Sequence, residues 1–198
     1  SANQKIIKKN TTVKKDHYAT QPLVSFLVLR NALHTHHSYA HVHFTAKNTE
    51  CSIVRQGGVT FIAQLPHGKD WILEQYQKKT KTEREVALSN LKQFVEKPDS
   101  HEHKEIIKTI EKKWTKDLYS LLQNSSIRIP NNIYISGSPE ILPLCAYFFK
   151  NKLLHEQLFS PDARVTVTPL NASQFTNHVI WDMEKNLLPF DVILHAYF

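Results

Sequence analysis

Apolar and polar residues alternate along residues 41–68, and this alternation predicts three short strands that form an antiparallel meander. In the first strand, Val42 and Phe44 share one face while His41 and His43 share the other. A period of two residues is typical of a strand with one buried face and one face toward solvent. We therefore expect both histidines at the surface or at an edge of the sheet.

Glycine and proline residues mark the ends of these strands. Gly57-Gly58 is predicted to form the two-residue hairpin turn between the second and third strands, because glycine readily adopts the positive φ angles that this turn needs. Pro66 and Gly68 end the third strand. An amphipathic helix is then predicted to begin at Lys69 or at the next residue.

Apolar residues at steps of three and four predict helices along much of the remaining chain. For two helices the sequence also predicts the start: Thr82 and Glu85 are spaced as a capping box, and Ser138 should cap a helix whose first position is Pro139. The predicted helices comprise residues 23–33, 70–76, 82–97, 101–124 and 139–154, with two short candidates at 175–183 and 191–198, and the further predicted strands comprise residues 133–136 and 165–168.

The composition is that of an ordinary globular protein, with 41% hydrophobic and 22% charged residues. The length of 198 residues is enough for one well-packed core. No stretch approaches the ~20 consecutive apolar residues that a membrane span requires. The cytoplasm is therefore the expected compartment.

The formal net charge of +7 raises the question of nucleic-acid binding, so its distribution matters. Beyond residue 21 the two signs are interspersed, and no stripe combines aromatic and basic residues in the way that proteins gripping single strands do. We predict that residues 1–37 are a basic N-terminal extension or linker with a short apolar helix, and that residues 38–198 form one domain. Much of the excess charge belongs to Lys5, Lys8, Lys9, Lys14 and Lys15.

Cysteine and histidine residues are the candidates for reactive or metal-binding chemistry. Cys51 and Cys145 each sit in an apolar segment and are expected to be buried free thiols rather than a disulfide. Neither has a neighbouring histidine in sequence, and residues 136–138 lack the spacing of a nucleophile elbow, so no catalytic nucleophile is predicted. A histidine cluster has a geometry that zinc or copper could use, but without a clear further ligand we favour surface histidines. The cluster consists of His34, His36, His37, His41 and His43.

The order of the predicted elements, together with three segments, resembles the second nucleotide-binding half of the actin-like ATPases. The likeness is greater to the bacterial branch that contains the cell-division protein FtsA and the pilus-assembly protein PilM. The three segments are residues 43–49, 52–70 and 133–140, and the resemblance covers roughly residues 38–170. It implies an α/β fold of the RNase H-like (actin-like) type, with a mixed sheet opened by the three-stranded meander and helices on both faces.

The resemblance also implies a nucleotide site, in which Thr45, Asn48, Gly137 and Ser138 would line an ATP molecule and its magnesium ion. The sequence departs from the family at this site. His43 or Thr45 takes the acidic position, residues 46–49 contain no glycine, and a single glycine remains in the adenosine turn. A phosphate loop needs glycines for close backbone approach and an acidic residue for the metal. We therefore expect weak nucleotide binding at best, no competent hydrolysis, and no obligatory cofactor or metal.

The function that the resemblance implies is a non-catalytic scaffold. Such a domain would mediate protein assembly in a membrane-associated complex of the cell-division or pilus type, at the inner face of the membrane, with a homo-oligomer among its expected partners. The alternative is an ATP-binding domain whose site is completed by a missing lobe. A third hypothesis is nucleic-acid binding through the basic residues 1–21.

Overall fold

A computed structural model describes residues 21–32, 37–98, 102–123, 127–150, 159 and 164–170. Within these residues, five strands form one mixed sheet in the order β3-β2-β1-β4-β5. The predicted meander is confirmed, because β1 pairs antiparallel with β2 and β2 with β3. The strands are β1 (Tyr39–Phe44), β2 (Thr49–Arg55), β3 (Gly58–Leu65), β4 (Asn132–Gly137) and β5 (Thr166–Pro169).

The central strand β1 connects the meander to the parallel half of the sheet. β1 pairs parallel with β4, and β4 pairs parallel with β5. Phe44, the last residue of β1, lies opposite Gly137, the last residue of β4. The turns that follow these two strands therefore leave the sheet at the same edge, which we call the carboxyl edge.

The described residues form five helices around the sheet, and each lies where the apolar period predicts one. They are α1 (Gln21–Ala32), α2 (Lys69–Thr80), α3 (Arg84–Glu96), α4 (Lys104–Gln123) and α5 (Leu142–Lys150). In α4 the predicted stripe is buried, with Ile107, Trp114 and Leu118 fully inaccessible to solvent. None of the described helices is both long enough and apolar enough to cross a bilayer.

One face of the sheet carries the main apolar core, formed with residues of α2 to α5. Val42 and Phe44 of β1 point into it, and Trp114 of α4 lies at its centre. The Trp114 ring stacks on Phe44 at 5.6 Å between centroids and meets Phe149 edge-on at 5.5 Å. Cys51 and Cys145 belong to the same core as free thiols, as predicted, and burial raises the pKa of Cys51 to about 12.

The opposite face of β1 is polar, and it is also buried. His41 is 3% exposed and His43 is 7% exposed, so the prediction that they lie at the surface or at an edge is wrong. The reason is that β1 is the middle strand of the sheet and that α1 approaches this face. Ser25 of α1 lines a small cavity of about 10 Å³ together with both histidines and Ser52.

The hairpin turn lies one residue earlier than predicted. Arg55 pairs with Gly58, which leaves Gln56 and Gly57 as the two turn residues. Both have positive φ angles, 51° and 76°. The prediction of Gly57-Gly58 is wrong because the strand register, which contains an irregularity after Ile53, decides which residues turn.

Two predicted helix starts also differ from the structure. Helix α3 is preceded by Glu83 as N-cap without a side-chain bond, and the Thr82 hydroxyl instead bonds the Thr80 hydroxyl at 2.8 Å, so no capping box forms. Helix α5 begins at Leu142, because residues 138–141 form a turn in which the Ser138 carbonyl oxygen accepts the amides of residues 141 and 142. Pro143 thus lies in the first turn of α5, where its missing N–H is tolerated.

Several predictions lie outside the described residues. They are the end of the fifth predicted helix at residues 151–154, the two short helices at 175–183 and 191–198, and the histidines His34 and His36. The division into an extension of residues 1–37 and a domain of residues 38–198 stays a prediction.

Candidate nucleotide site at the carboxyl edge

Within the described residues, three connections meet at the carboxyl edge. They are the turn between β1 and β2 (residues 45–48), the corner before α2 (residues 66–68), and the turn between β4 and α5 (residues 138–141). In open α/β sheets, ligands bind at the carboxyl ends of parallel strands. The predicted residues Thr45, Asn48, Gly137 and Ser138 all lie in or beside these connections.

The turn between β1 and β2 closes on itself through Thr45 and Asn48. The amide and the hydroxyl of Thr45 both donate to the carbonyl oxygen of Asn48, each at 2.9 Å. The amide of Asn48 in return donates to the Thr45 hydroxyl oxygen at 2.8 Å. The two predicted residues are therefore brought together, and their amides are bonded inside the turn.

The N-terminus of α2 is bonded to the same turn. The amides of Gly68, Lys69 and Asp70 donate to the carbonyl oxygens of residues 45–47 at distances of 2.8 to 3.0 Å. A Cβ atom at Gly68 would lie 2.5 to 2.6 Å from backbone atoms of this turn, so a glycine is needed there. The amides that would otherwise offer a helix N-terminus to an anion are thus occupied by protein carbonyl groups.

The turn after β4 is held close to the end of β1. A Cβ atom at Gly137, where φ is 157°, would lie 2.8 Å from the carbonyl oxygen of Phe44. The Ser138 hydroxyl donates to a carboxylate oxygen of Glu140 at 3.3 Å. Gly137 and Ser138 therefore lie beside the first turn, and Gly137 is needed for packing irrespective of any ligand.

The carboxylates around this edge have basic partners. The Lys69 ammonium lies 3.1 Å from Glu140, and its hydrogen bond and charge lower the pKa of the Glu140 carboxyl. The other two pairs are Arg84 with Asp70 and His67 with Asp117, the latter at 2.8 Å. In the part of the chain that the structure describes, no group of three or more histidine, cysteine or acidic side chains is arranged to hold a metal ion.

A buried polar cluster on the sheet was not predicted from the sequence. His41 Nε2 and His43 Nδ1 both lie 2.8 Å from the Ser136 hydroxyl oxygen. Burial, and secondly the charge of His43, lowers the pKa of His41 to about 3, so its ring is neutral at pH 7. The sequence placed both histidines on one face of β1, but Ser136 is about 95 residues away and only the pairing of β1 with β4 brings it there.

Comparisons with known proteins identify the fold. The sequence matches no protein-family model and no curated protein. The solved PilM-PilN type IV pilus biogenesis complex is similar with 14% identity and a TM-score of 0.63, over 91% of this chain and 52% of that one. MreB 5 of Spiroplasma citri bound to AMPPNP is similar with 10% identity and a TM-score of 0.58, over 99% of this chain and 62% of that one.

A third solved structure, the ethanolamine utilization protein EutJ from Carboxydothermus hydrogenoformans, has 14% identity and a TM-score of 0.50, over 88% of this chain and 53% of that one. The chain therefore has the fold of the actin-like ATPases, and the predicted RNase H-like architecture is confirmed. It spans about half the length of the PilM and EutJ chains. At these identities the likeness shows the fold alone.

Proposed function

We propose that this chain is a non-catalytic actin-like domain that acts by binding other proteins in a membrane-associated assembly of the cell-division or pilus type. The observation that carries the proposal is the closed turn between β1 and β2, in which Thr45 and Asn48 bond each other. Loops that bind phosphate do so with backbone amides that point at the anion. Thr45 and Asn48 use their own amides inside this turn, which leaves only the amides of Ala46 and Lys47 outside the closed pair.

The residues at this edge offer little support for nucleotide hydrolysis. Phosphoryl transfer needs a carboxylate to hold magnesium or to position water. The resemblance leaves two residues for the corresponding place, and neither is a carboxylate. His43 is buried against the Ser136 hydroxyl, and the Thr45 hydroxyl donates to the Asn48 carbonyl oxygen. The nearby carboxylate of Glu140 is engaged by Lys69. These residues do not fit a magnesium nucleotide well, so we assign no catalytic step to them.

The comparisons support protein binding as the function. One similar structure is a PilM-PilN complex, which is an assembly of two proteins. We transfer to this chain only the class of activity, association with a protein partner, with self-association as one form of it. The competing function is nucleotide binding, which the AMPPNP-bound MreB 5 structure favours.

Isothermal titration with Mg-ATP tests the proposal. The titration is made on this chain and on any longer native protein that includes an N-terminal lobe, with an actin-like ATPase of known activity as a positive control. We expect no measurable heat from either protein. A dissociation constant below about 10 μM, or roughly −7 kcal/mol, would contradict the proposal and establish a nucleotide-dependent domain.

A further inference from the structure

A groove lies between α2 and α4, on the outside of the helical layer. Its cavity measures about 260 Å³ and is lined by Trp71, Gln75 and Lys79 of α2 and by Ile106, Ile110 and Lys113 of α4. The α2 residues are spaced four apart, so they form one stripe along that helix. Neither the predicted nucleotide site nor the buried histidine cluster contributes to this groove.

The floor of the groove is apolar and held in place. Trp71 and Ile106 are only partly buried, although both pack against the main core. The His67 ring stacks on the Trp71 indole at 4.1 Å between centroids, with 15° between the planes. Asp117 fixes His67 through a contact of 2.8 Å. The indole is therefore oriented in advance, and ordering it would cost a ligand little entropy.

The rim of the groove is positively charged. The Lys113 ammonium lies 5.5 Å from the centre of the Trp71 ring. Among the described residues, neither Lys79 nor Lys113 has a carboxylate at salt-bridge distance. The carboxylate of Glu105, which also borders the groove, lies 3.4 Å from the ammonium of Lys108. The two rim lysines are thus available to an acidic ligand.

We propose that this groove binds an acidic amphipathic peptide segment of a partner protein, which inserts one bulky apolar side chain beside Trp71 and places carboxylates near Lys79 and Lys113. The inference rests on the proposed protein-binding function. The cavity of about 260 Å³ is slightly smaller than the ~300–1,000 Å³ of pockets that enclose a whole small ligand, which favours a single anchoring side chain. Two neighbouring helices offer the groove that amphipathic segments use.

Chemistry also favours a peptide over a nucleic acid at this groove. A nucleobase would bind by stacking on an exposed aromatic face. The stacked His67 ring covers one face of the Trp71 indole, and the Lys113 ammonium lies 5.5 Å from the centre of the same ring, so little of the ring is free for a base. Acidic side chains, by contrast, need only the two rim lysines and leave the stacked pair in place.

Selection from a phage library of random peptides tests the proposal. The folded chain is the target, and the enriched peptides are measured by fluorescence anisotropy against the chain and its variants. We expect the enriched peptides to combine acidic residues with a large apolar residue. Lys113→Glu should weaken their binding about tenfold or more, because it replaces an attraction with a repulsion. Gln75→Glu, on the opposite wall of the groove, should weaken binding in the same direction.

Lys150→Glu is the matched control, since Lys150 is an exposed lysine of α5 outside the groove and the charge change is the same. Circular dichroism and thermal unfolding confirm that each variant is folded. Equal binding by all variants, enrichment of basic or purely apolar peptides, or an effect of Lys113→Glu only on the binding of a single-stranded DNA oligonucleotide would overturn the assignment. The proposed function is tested separately by the titration described above. Binding of Mg-ATP there would contradict the proposed function, whereas the peptide measurements test the groove.

Discussion

The two faces of the central strand β1 differ in chemistry and hardly differ in burial. Val42 and Phe44 on one face and His41 and His43 on the other are all at most 7% exposed. The apolar face packs among helices α2 to α5, whereas the polar face lies under α1 and bonds Ser136. Alternation along a strand therefore identifies its two faces, and it does not show that one of them meets water.

The two faces are expected to stabilise the fold by different interactions. The apolar face depends on area removed from water and on close packing. The polar face depends on hydrogen bonds, because a buried polar group without a partner is costly. The Ser136 hydroxyl has one proton and two lone pairs, so it can donate to one histidine ring and accept from the other. This arrangement requires that at least one of the two histidine rings is neutral.

The largest expected effect is on the apolar face. Trp114→Ala removes the side chain at the centre of the core and should lower the free energy of unfolding by about 3–5 kcal/mol in a urea titration. Val86→Ala, at a position that is 47% exposed, is the control and should change stability by less than about 0.5 kcal/mol. If Trp114→Ala lowered the free energy of unfolding by less than about 1 kcal/mol, Trp114 would not be at the centre of the core.

Acid should destabilise the folded chain through the polar face of β1. The pKa of His41 is about 3 in the folded chain, well below the 6.5 of an exposed histidine, so between these two pH values the unfolded chain binds a proton that the folded chain does not. Stability should then decrease by roughly 1 kcal/mol per pH unit as the pH falls below 6.5. His41→Gln cannot be protonated and should flatten this dependence when denaturant midpoints are compared at pH 7, 6, 5 and 4. Equal pH dependence in the two proteins would contradict the burial of a neutral His41.

The shared hydroxyl of the polar face is tested by Ser136→Ala. The change removes the group that both His41 and His43 bond, and it should lower the free energy of unfolding by about 1–3 kcal/mol. Ser120→Ala on the exposed side of α4 makes the same chemical change at the surface and should have almost no effect. Equal effects of the two variants would show that the cluster does not contribute to stability.

The smallest of these effects belongs to the carboxyl edge, where both faces end. Gly68→Ala places a Cβ atom within 2.6 Å of the turn between β1 and β2, so it should lower the free energy of unfolding by about 1 kcal/mol. Gly58→Ala is the matched control, because its nearest neighbour would lie 3.9 Å away. If Gly68→Ala were as stable as Gly58→Ala, α2 would not be held against the turn as described.

Features that depend on neighbouring residues could be predicted from the sequence, and features that depend on distant pairing could not. The stripe of α4 and the three strands of the meander follow from short periods. The hairpin turn was misplaced by one residue because the register between β2 and β3 decides it. The predicted capping box at Thr82 does not form, because the Thr82 hydroxyl bonds the Thr80 hydroxyl and the Thr82 carbonyl oxygen accepts from the Gln77 side chain.

The candidate site shows the same division. Thr45 and Asn48 are close in sequence, and their position in a turn was predicted from the resemblance. Their mutual bonding joins residues three apart, whereas the contact with the start of α2 depends on how the corner at Gly68 folds back on the turn, about 20 residues later. His41 is buried because α1, which precedes it in sequence, and β4, which follows about 90 residues later, both pack beside it. No local pattern around His41 could indicate this.

The central claim is that the turn between β1 and β2 is closed and does not bind phosphate. Nuclear magnetic resonance of the ¹⁵N-labelled chain, titrated with Mg-ATP, observes the amides of residues 45–48 and 137 directly. We predict that these signals keep their positions up to millimolar nucleotide. Saturable shifts of the Ala46 and Lys47 amides, with release of the Thr45 and Asn48 amides from their bonds, would contradict the claim and restore the site as one that binds nucleotide.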